Sequence, residues 1–245
     1  VVAVDVKSKR VLATGDEAEK MIGRTPGSIV PVMPIRTGVI ADFDMTADML
    51  HDFMYRSSKR SIFTKTRVVI SVPSGVTEVE RRAVEDAVRS AGAQDVELIE
   101  APMAAALGIG IDVLAPEGNM IVDIGGGTTE IAVISLGGIV SNKSIRIAGD
   151  DLTEDIREHM RRAHNVKVGE RTAELIKIHV GSALSELDSP PDDYIVHGPN
   201  QMTALPMEVP VSYQEICNCI EKSISKIEAA VLSALEQTPP ELYSD

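Results

Sequence analysis

The chain has 245 residues, of which 44% are hydrophobic and 25% charged, a composition typical of a globular protein rather than a disordered or fibrous one. Its 24 basic against 37 acidic residues give a net charge of −13, which repels a polyphosphate backbone and argues against nucleic acid as a partner. Two cysteines are too few to stabilise a fold of this size through disulfide bonds. The longest charge-free apolar run, 101–111, is too short to cross a bilayer. We therefore expect a cytoplasmic protein.

The first half of the sequence alternates strand and helix patterns. The predicted elements in chain order are a hairpin at 1–13, a loop-rich segment with three prolines and three glycines at 23–38, a helix at 45–55, a buried strand at 67–72, a helix from 77 to about 91, a strand at 96–99 and a helix with Pro102 in its first turn. Thr77 and Glu80 have the spacing of a capping box, and Gly92 stands where a helix terminator belongs. Local signals therefore define both the start of this helix, at Thr77, and its end, at Gly92.

The second half predicts strands first and then helices. In chain order they are strands at 119–124, 130–135 and 138–147, a helix begun at Asp150 or Asp151, a helix at 170–184, a segment rich in Pro, Asp and Gly at 185–210, and a helix of about 24 residues that starts after Ser212. Ser212 with Glu215 forms a second capping-box pattern. The five histidines, at 51, 159, 164, 179 and 197, show no metal-ligand spacing. We expect no metal centre built from them.

The most informative segment is the glycine turn at 123–130, with the sequence DIGGGTTE. Glycines let backbone amides approach an anion closely, threonine hydroxyls can donate to phosphate oxygens, and the aspartate can hold a hydrated Mg²⁺. It is not a Walker loop, because no Lys-Ser/Thr follows, and not a dinucleotide fingerprint, because a strand follows instead of a helix. The pattern alone leaves open a phosphate site and a plain hairpin turn.

Longer motifs indicate a family. VDIGGGTTE resembles the second phosphate loop of the actin, heat-shock chaperone and sugar-kinase ATPases, and PSGVTEVERRAV, IEAPMAAALG, SLGGIVSNKSIRIAGDD, VGERTAE and QTPPEL together resemble MreB, a family of bacterial actins. The resemblance implies an α/β, actin-like (ribonuclease H-like) ATPase fold with two lobes. It places lobe I at 1–115, divided at about residue 35, and lobe II at 116–245, with a small subdomain inserted at about 152–215.

The resemblance also implies a nucleotide site for ATP and Mg²⁺. Asp123 would organise Mg²⁺ through water, and Thr129 would lie near the attacking water. The remaining implied nucleotide contacts are Gly125, Gly126, Gly127 and Thr128 at the phosphates, Gly149 and Asp150 on their other side, and Glu174 and Lys177 at the ribose. The i, i+3 spacing of Glu174 and Lys177 by itself favours a surface ion pair.

The sequence departs from the MreB pattern at the expected catalytic carboxylate. The family has glutamate before the proline of its Pro-Met-Ala motif to polarise the attacking water, and this chain has Ala101, with Glu100 one residue too early to replace it. The family's first phosphate loop and its adenine-closing glycine segment are also expected outside 1–245, so we expect these residues to bind ATP weakly by themselves. Whether the protein is a weak ATPase or a non-hydrolysing scaffold stays open; a phosphotransferase of the same superfamily is a lesser alternative, since no sugar-binding signature is seen.

One basic segment stands apart from the acidic average. Residues 1–72 carry 11 Lys and Arg against 8 Asp and Glu, and 53–67 contain five basic residues and no acid. This segment includes Ile62 and Phe63, where MreB-like proteins place a hydrophobic membrane-inserting loop; the alternative is a solvated loop. The resemblance thus implies filaments of the chain itself, attached to the inner face of the cell membrane and associated with the cell-wall elongation machinery.

Overall fold

The computed structural model describes residues 1–57 and 66–243. Among these residues the chain divides into two compact units: unit 1 contains Val1–Asp123, Glu130–Ser144 and Ala234–Asp245, and unit 2 contains Ile124–Thr129 and Ile145–Ser233. The lobe boundaries implied by the resemblance stay a prediction. The helices and strands in chain order are β1 Val2–Asp5, β2 Val11–Thr14, α1 Asp16–Glu19, β3 Ile29–Val32, β4 Ile35–Arg36, β5 Val39–Ile40, α2 Phe43–Ser57, β6 Arg67–Val72, α3 Glu78–Ser90, β7 Asp95–Glu100, α4 Ala101–Gly108, β8 Asn119–Ile124, β9 Thr129–Ser135, β10 Gly138–Ile145, α5 Gly149–Ala163, α6 Glu170–Val180, β11 Tyr194–Pro199, β12 Pro206–Val211, α7 Tyr213–Glu236 and a 3-10 helix Pro240–Leu242.

Unit 1 begins with an antiparallel sheet in the order β2-β1-β3. The predicted hairpin forms, with Val2 opposite Thr14, and Val2 also faces Val32 of β3. The loop-rich segment 23–38 also contains the short strands β3 and β4, which were not predicted. Every second residue of β1 packs into a small apolar core because one face of this short sheet is covered by α2.

The strands β6 and β7 of unit 1 run parallel and are joined by α3. Thr77 caps α3 as predicted: its hydroxyl accepts from the Glu80 amide, and the Glu80 carboxylate accepts from the Thr77 amide at 2.7 Å. The helix ends at Ser90 with Ala91 as its C-cap, and Gly92 follows with φ of 111°, which favours glycine. This strand–helix–strand arrangement is typical of an α/β fold.

A second sheet of unit 1 has the order β10-β9-β8, and β9 is its central, fully buried strand. Glu130 on β9 is only 2% exposed. Its carboxylate accepts from the Ser74 amide at 3.0 Å and from the Ser144 hydroxyl at 2.7 Å. These hydrogen bonds allow a carboxyl group to sit in the sheet, because a buried polar group without partners is costly.

Unit 2 is built from α5, α6, α7 and the antiparallel β11–β12 hairpin, which share one apolar core. The largest fully buried side chains of this core are Ile156, Met160, Val166, Ile176, Val180 and Ile216. The hairpin lies in the segment rich in Pro, Asp and Gly that the sequence analysis leaves without strands. The 24-residue α7 agrees with the predicted long helix, whereas α6 ends at Val180, four residues earlier than predicted.

The start of α5 differs from the predicted acidic cap. The helix begins at Gly149, its N-cap is Ala148, and the Ala148 amide donates to the Asp151 carboxylate at 3.0 Å. Neither Asp150 nor Asp151 is therefore the cap residue, because both lie inside the first turn of the helix. Within the described ranges 1–57 and 66–243, no helix is both long and apolar enough to cross a bilayer.

Candidate nucleotide-binding site

The glycine turn joins β8 to β9, as the sequence predicts, and its tip lies in unit 2. The Gly125 amide donates to the Thr128 carbonyl at 2.9 Å, which closes the turn. Gly125 and Gly126 are exposed, and Gly127 and Thr128 are half-buried. In the part of the chain that the structure describes, the Gly126 and Gly127 amides donate to no carbonyl. Backbone amides without an internal partner are suitable donors for an anion.

The start of α5 is tied to the same turn within unit 2. The Gly149 amide donates to the Gly125 carbonyl at 3.0 Å, and the Asp150 amide donates to the Gly126 carbonyl at 2.8 Å. The first amides of a helix have no partner inside the helix, and here two turn carbonyls accept from them. The turn and the helix start are therefore held together as one rigid assembly.

Two glycines leave little room for a side chain at this junction. A Cβ on Gly126 would lie 3.3 Å from the Asp150 carboxylate, and a Cβ on Gly149 would lie 3.2 Å from the Gly125 carbonyl. Both contacts are tighter than side chains normally make, so the Asp150 side chain or the turn backbone would have to shift by a few tenths of an ångström. The junction fits a group that must approach the backbone closely, as a phosphate does.

Glu174 and Lys177 of α6 lie against the start of α5. The Lys177 ammonium is 2.7 Å from the Glu174 carboxylate and donates to the Gly149 carbonyl and the Thr153 hydroxyl, both at 2.9 Å. The Thr153 hydroxyl in turn donates to Glu174 at 2.6 Å. The pair is thus more than the surface ion pair that its spacing favours, because it links α6 to the junction.

The electrostatics of this group favour an ionised carboxylate. Partial burial by itself raises the pKa of Glu174, but hydrogen bonds from Lys177 and Thr153 and the lysine charge together outweigh it, and the net pKa lies below its ordinary value. The residue that the sequence analysis misses here is Thr153. Its position one helical turn after Gly149, facing the same neighbours, is the signal that could have identified it.

The other predicted site residues of this region have separate positions. Asp123, assigned to Mg²⁺, is half-buried next to the end of β8 and belongs to unit 1. Thr129 is completely buried, and its hydroxyl donates to the Ile147 carbonyl at 2.7 Å. This contact supports a structural contribution of Thr129 to the turn, and its place near an attacking water stays a prediction.

Ala101 and Glu100 lie in unit 1 at the junction of β7 and α4. Glu100 is the last residue of the strand and the N-cap of the helix, and Ala101 is the first helical residue, followed by Pro102 as predicted. The substitution at the expected catalytic position therefore lies at a well-ordered helix start. Ile62 and Phe63, the predicted membrane contact, lie outside the described residues.

These sheets, helices and the strand–turn–strand junction define an α/β protein with an actin-like fold. The chain superimposes on the crystal structure of MreB5 from Spiroplasma citri bound to AMPPNP with a TM-score of 0.92 and 38% identity, over 99% of this chain and 72% of that one. The ADP-bound structure of the same protein matches with the same TM-score at 37% identity. A MamK double helical filament shares the fold with a TM-score of 0.74 over 93% of this chain and 67% of that one, at 20% identity.

Sequence comparison identifies the family. The model of the MreB/Mbl protein family matches residues 1–245. The cell shape-determining protein Mbl of Bacillus subtilis is 42% identical over all of this chain and 73% of its own length, and MreB of Escherichia coli is 45% identical over 97% of this chain and 68% of its own length. The chain belongs to the MreB/Mbl family of bacterial, actin-like cell-shape proteins.

Proposed function

We propose that this protein binds ATP with Mg²⁺ at the junction of the glycine turn and α5. The single observation that carries the proposal is the clamp in which Gly149 and Asp150 donate to Gly125 and Gly126, beside the Lys177 ammonium. Among the described residues it leaves the Gly126 and Gly127 amides without a carbonyl partner, and such amides suit phosphate oxygens. The related MreB5 protein bound to AMPPNP or ADP supports a nucleotide as the ligand.

Each residue at the junction has a defined part in this proposal. Gly125 closes the turn, amides from Gly126 to Thr128 hold the phosphates from one side, and Gly149 and Asp150 face them from the other. Glu174 and Lys177 hold the ribose, and Asp123 holds Mg²⁺ through water. The cation would neutralise phosphate charge when bound.

A substitution at Gly126 tests this site. We expect Gly126→Val in the full-length protein to raise the Kd for ATP at least about tenfold, equivalent to about 1.4 kcal/mol, because its side chain would fill the space beside Asp150. The measurement is calorimetric titration with Mg²⁺ and ATP. Gly27→Val is the matched control, since a Cβ there meets nothing within 4 Å.

Two results decide this test. An unchanged Kd in Gly126→Val would contradict the phosphate site, and equal weakening in Gly27→Val would show a general loss of folding instead. Thermal unfolding of both variants separates these cases. A Gly126→Val variant with a normal melting temperature and weak ATP binding is the expected outcome.

Beyond nucleotide binding, we propose that the protein polymerises into filaments that attach to the inner face of the cell membrane and organise cell-wall synthesis. Membership of the MreB/Mbl family of cell-shape proteins supports this proposal. Sedimentation with and without ATP tests the polymer directly. A protein that binds ATP and stays monomeric at all concentrations would contradict it.

A second candidate function is that of a scaffold that binds ATP without hydrolysing it. Ala101 at the first position of α4 favours this candidate, because a methyl group there cannot position a water molecule. The scaffold would keep the ATP site and the polymer. It differs from the first proposal only in phosphate release.

A further inference from the structure

Three side chains that are far apart in sequence converge in unit 2. His159 lies in the last turns of α5, His164 caps the end of α5, and Glu215 lies in the first turn of α7. The Nε2 atom of His159 is 2.6 Å from Glu215 Oε1, and the Nε2 atom of His164 is 2.5 Å from the same oxygen. The two rings meet edge to face, with centroids 5.9 Å apart.

This convergence replaces the second predicted capping box. Ser212 does accept from the Glu215 amide, at 3.2 Å, so one half of the box forms. The Glu215 carboxylate instead accepts from the two imidazoles, across a gap of 51 or 56 residues in sequence. His159 and His164 thus meet in the fold although their spacing in the sequence shows no metal-ligand pattern.

The helices that carry these side chains, α5 and α7, pack against each other in the core of unit 2. Ile156 and Met160 on α5 and Ile216 and Ile220 on α7 belong to the same buried core, which packs the two helices together. The three polar side chains themselves stay between 25% and 27% exposed. They are thus held in place by a packed core and remain open to solvent on one side.

The chemistry of the cluster matches a borderline-soft divalent cation. Two imidazole nitrogens and one carboxylate oxygen are the ligand set of many zinc sites that keep a fourth position for water. The three ligand atoms lie within 4.8 Å of one another. Zinc–ligand bonds of about 2.0–2.2 Å place tetrahedral ligand atoms roughly 3.3 Å apart. The two nitrogen–oxygen distances are now 2.6 and 2.5 Å. Each of these pairs would therefore have to open by less than about 1 Å around the ion, which side-chain rotations can provide.

We propose that His159, His164 and Glu215 bind Zn²⁺ or a similar transition-metal cation, with water at the fourth position. The ion would join the end of α5 to the start of α7 and stabilise unit 2. This site is separate from the nucleotide junction in residues and in chemistry, because Mg²⁺ prefers oxygen ligands.

Zinc titration of the full-length protein tests the site. We expect saturable binding of one Zn²⁺ per chain in competition with a colorimetric chelator, in buffer without nucleotide. His159→Phe, His164→Phe and Glu215→Gln should each weaken binding at least tenfold. The matched control is His197→Phe, which removes an exposed histidine whose Nδ1 lies 3.2 Å from Glu208 on the β11–β12 hairpin; it should leave the Zn²⁺ affinity unchanged.

Cobalt substitution identifies the ligands independently. Co²⁺ held by two imidazoles and a carboxylate should give visible absorption bands without a thiolate charge-transfer band. A thiolate band that disappears in Cys219→Ser would overturn the assignment, because Cys219 lies one helical turn after Glu215. Absence of saturable Zn²⁺ binding, or equal weakening in His197→Phe, would also overturn it and leave the cluster as a hydrogen-bonded histidine–glutamate group.

A stability measurement covers variants that fold poorly. Zn²⁺ should raise the melting temperature of the unmodified protein, since a ligand that binds only the folded state stabilises it. Equimolar Mg²⁺ should not reproduce the shift. If the two ions have the same effect, or if the His159→Phe variant keeps the full zinc-dependent shift, the proposal is wrong.

Discussion

Among single residues, Ala101 occupies the position where the family resemblance implies a catalytic glutamate. It begins α4, and Glu100 before it ends β7, so the two side chains project in different directions. A positioned general base typically contributes about 10²–10⁴ in rate. We therefore expect Ala101→Glu in the full-length protein to raise phosphate release from ATP at least about tenfold. A coupled phosphate assay measures it.

The new carboxylate is compatible with the fold, because acidic side chains stabilise the first turn of a helix. Glu100→Gln is the matched control and should leave the rate unchanged. A rate that stays the same in Ala101→Glu, with normal ATP affinity, would contradict the role given to this position.

Residue partners across the fold were the least predictable feature of the site. The sequence places Glu174 and Lys177 three residues apart and so predicts their ion pair, which is confirmed. The contacts of Lys177 with Gly149 and Thr153 span 28 and 24 residues and depend on how α5 packs on α6. No local pattern encodes that packing, because burial of Ile156 and Ile176 in a shared core sets it.

At the scale of elements, α3 shows how much a local signal contributes. The capping box satisfies amides at the start of the helix, and loss of such a cap typically costs about 1 kcal/mol. We expect Thr77→Ala to lower the free energy of unfolding by about this amount. Urea denaturation measures the loss, and Thr77→Ser, which keeps the accepting oxygen, is the control. A similar loss in both variants would mean that the methyl group of Thr77, and not its hydroxyl, stabilises the helix.

The strands β11 and β12 have no such local signals and were not predicted from the sequence. The β11–β12 hairpin carries Pro199, Pro206 and Pro210, and prolines normally argue against a strand. In a two-stranded hairpin each strand is an edge strand. A proline can therefore point its nitrogen, which carries no hydrogen, away from the partner strand without losing a hydrogen bond. The pairing of Val196 with Val209 then buries both residues in the core of unit 2. Tertiary packing, which the sequence pattern does not show, decides the structure here.

For the molecule as a whole, one segment of the chain is basic although the net charge is strongly negative. The chain carries −13 overall, whereas 53–67 has five basic residues and no acid. Two of them already have acidic neighbours: Arg56 pairs with Asp52 at 2.7 Å, and Arg67 lies 3.3 Å from Asp95. In the proposed membrane contact, attraction to an anionic surface would therefore come mainly from the basic residues between them and from apolar insertion.

A lipid-binding experiment tests this membrane proposal. Each basic residue near an anionic surface contributes about 1 kcal/mol, and buried apolar side chains add to it in proportion to their area. We expect Ile62→Ser with Phe63→Ser to reduce co-sedimentation with phosphatidylglycerol vesicles at least about tenfold, because the apolar contribution is lost. ATP-dependent polymerisation without lipid should stay unchanged, which separates attachment from assembly.

The control must remove a comparable apolar surface elsewhere. Val79→Ser with Met202→Ser does so, since these side chains are 77% and 84% exposed, and vesicle binding should persist. Raising the salt concentration should weaken the binding of the unmodified protein, because ions screen surface charges beyond about 8 Å at 0.15 M. If the Ile62 and Phe63 variant binds vesicles normally, the segment is a solvated loop and membrane attachment must come from another surface or from a partner protein.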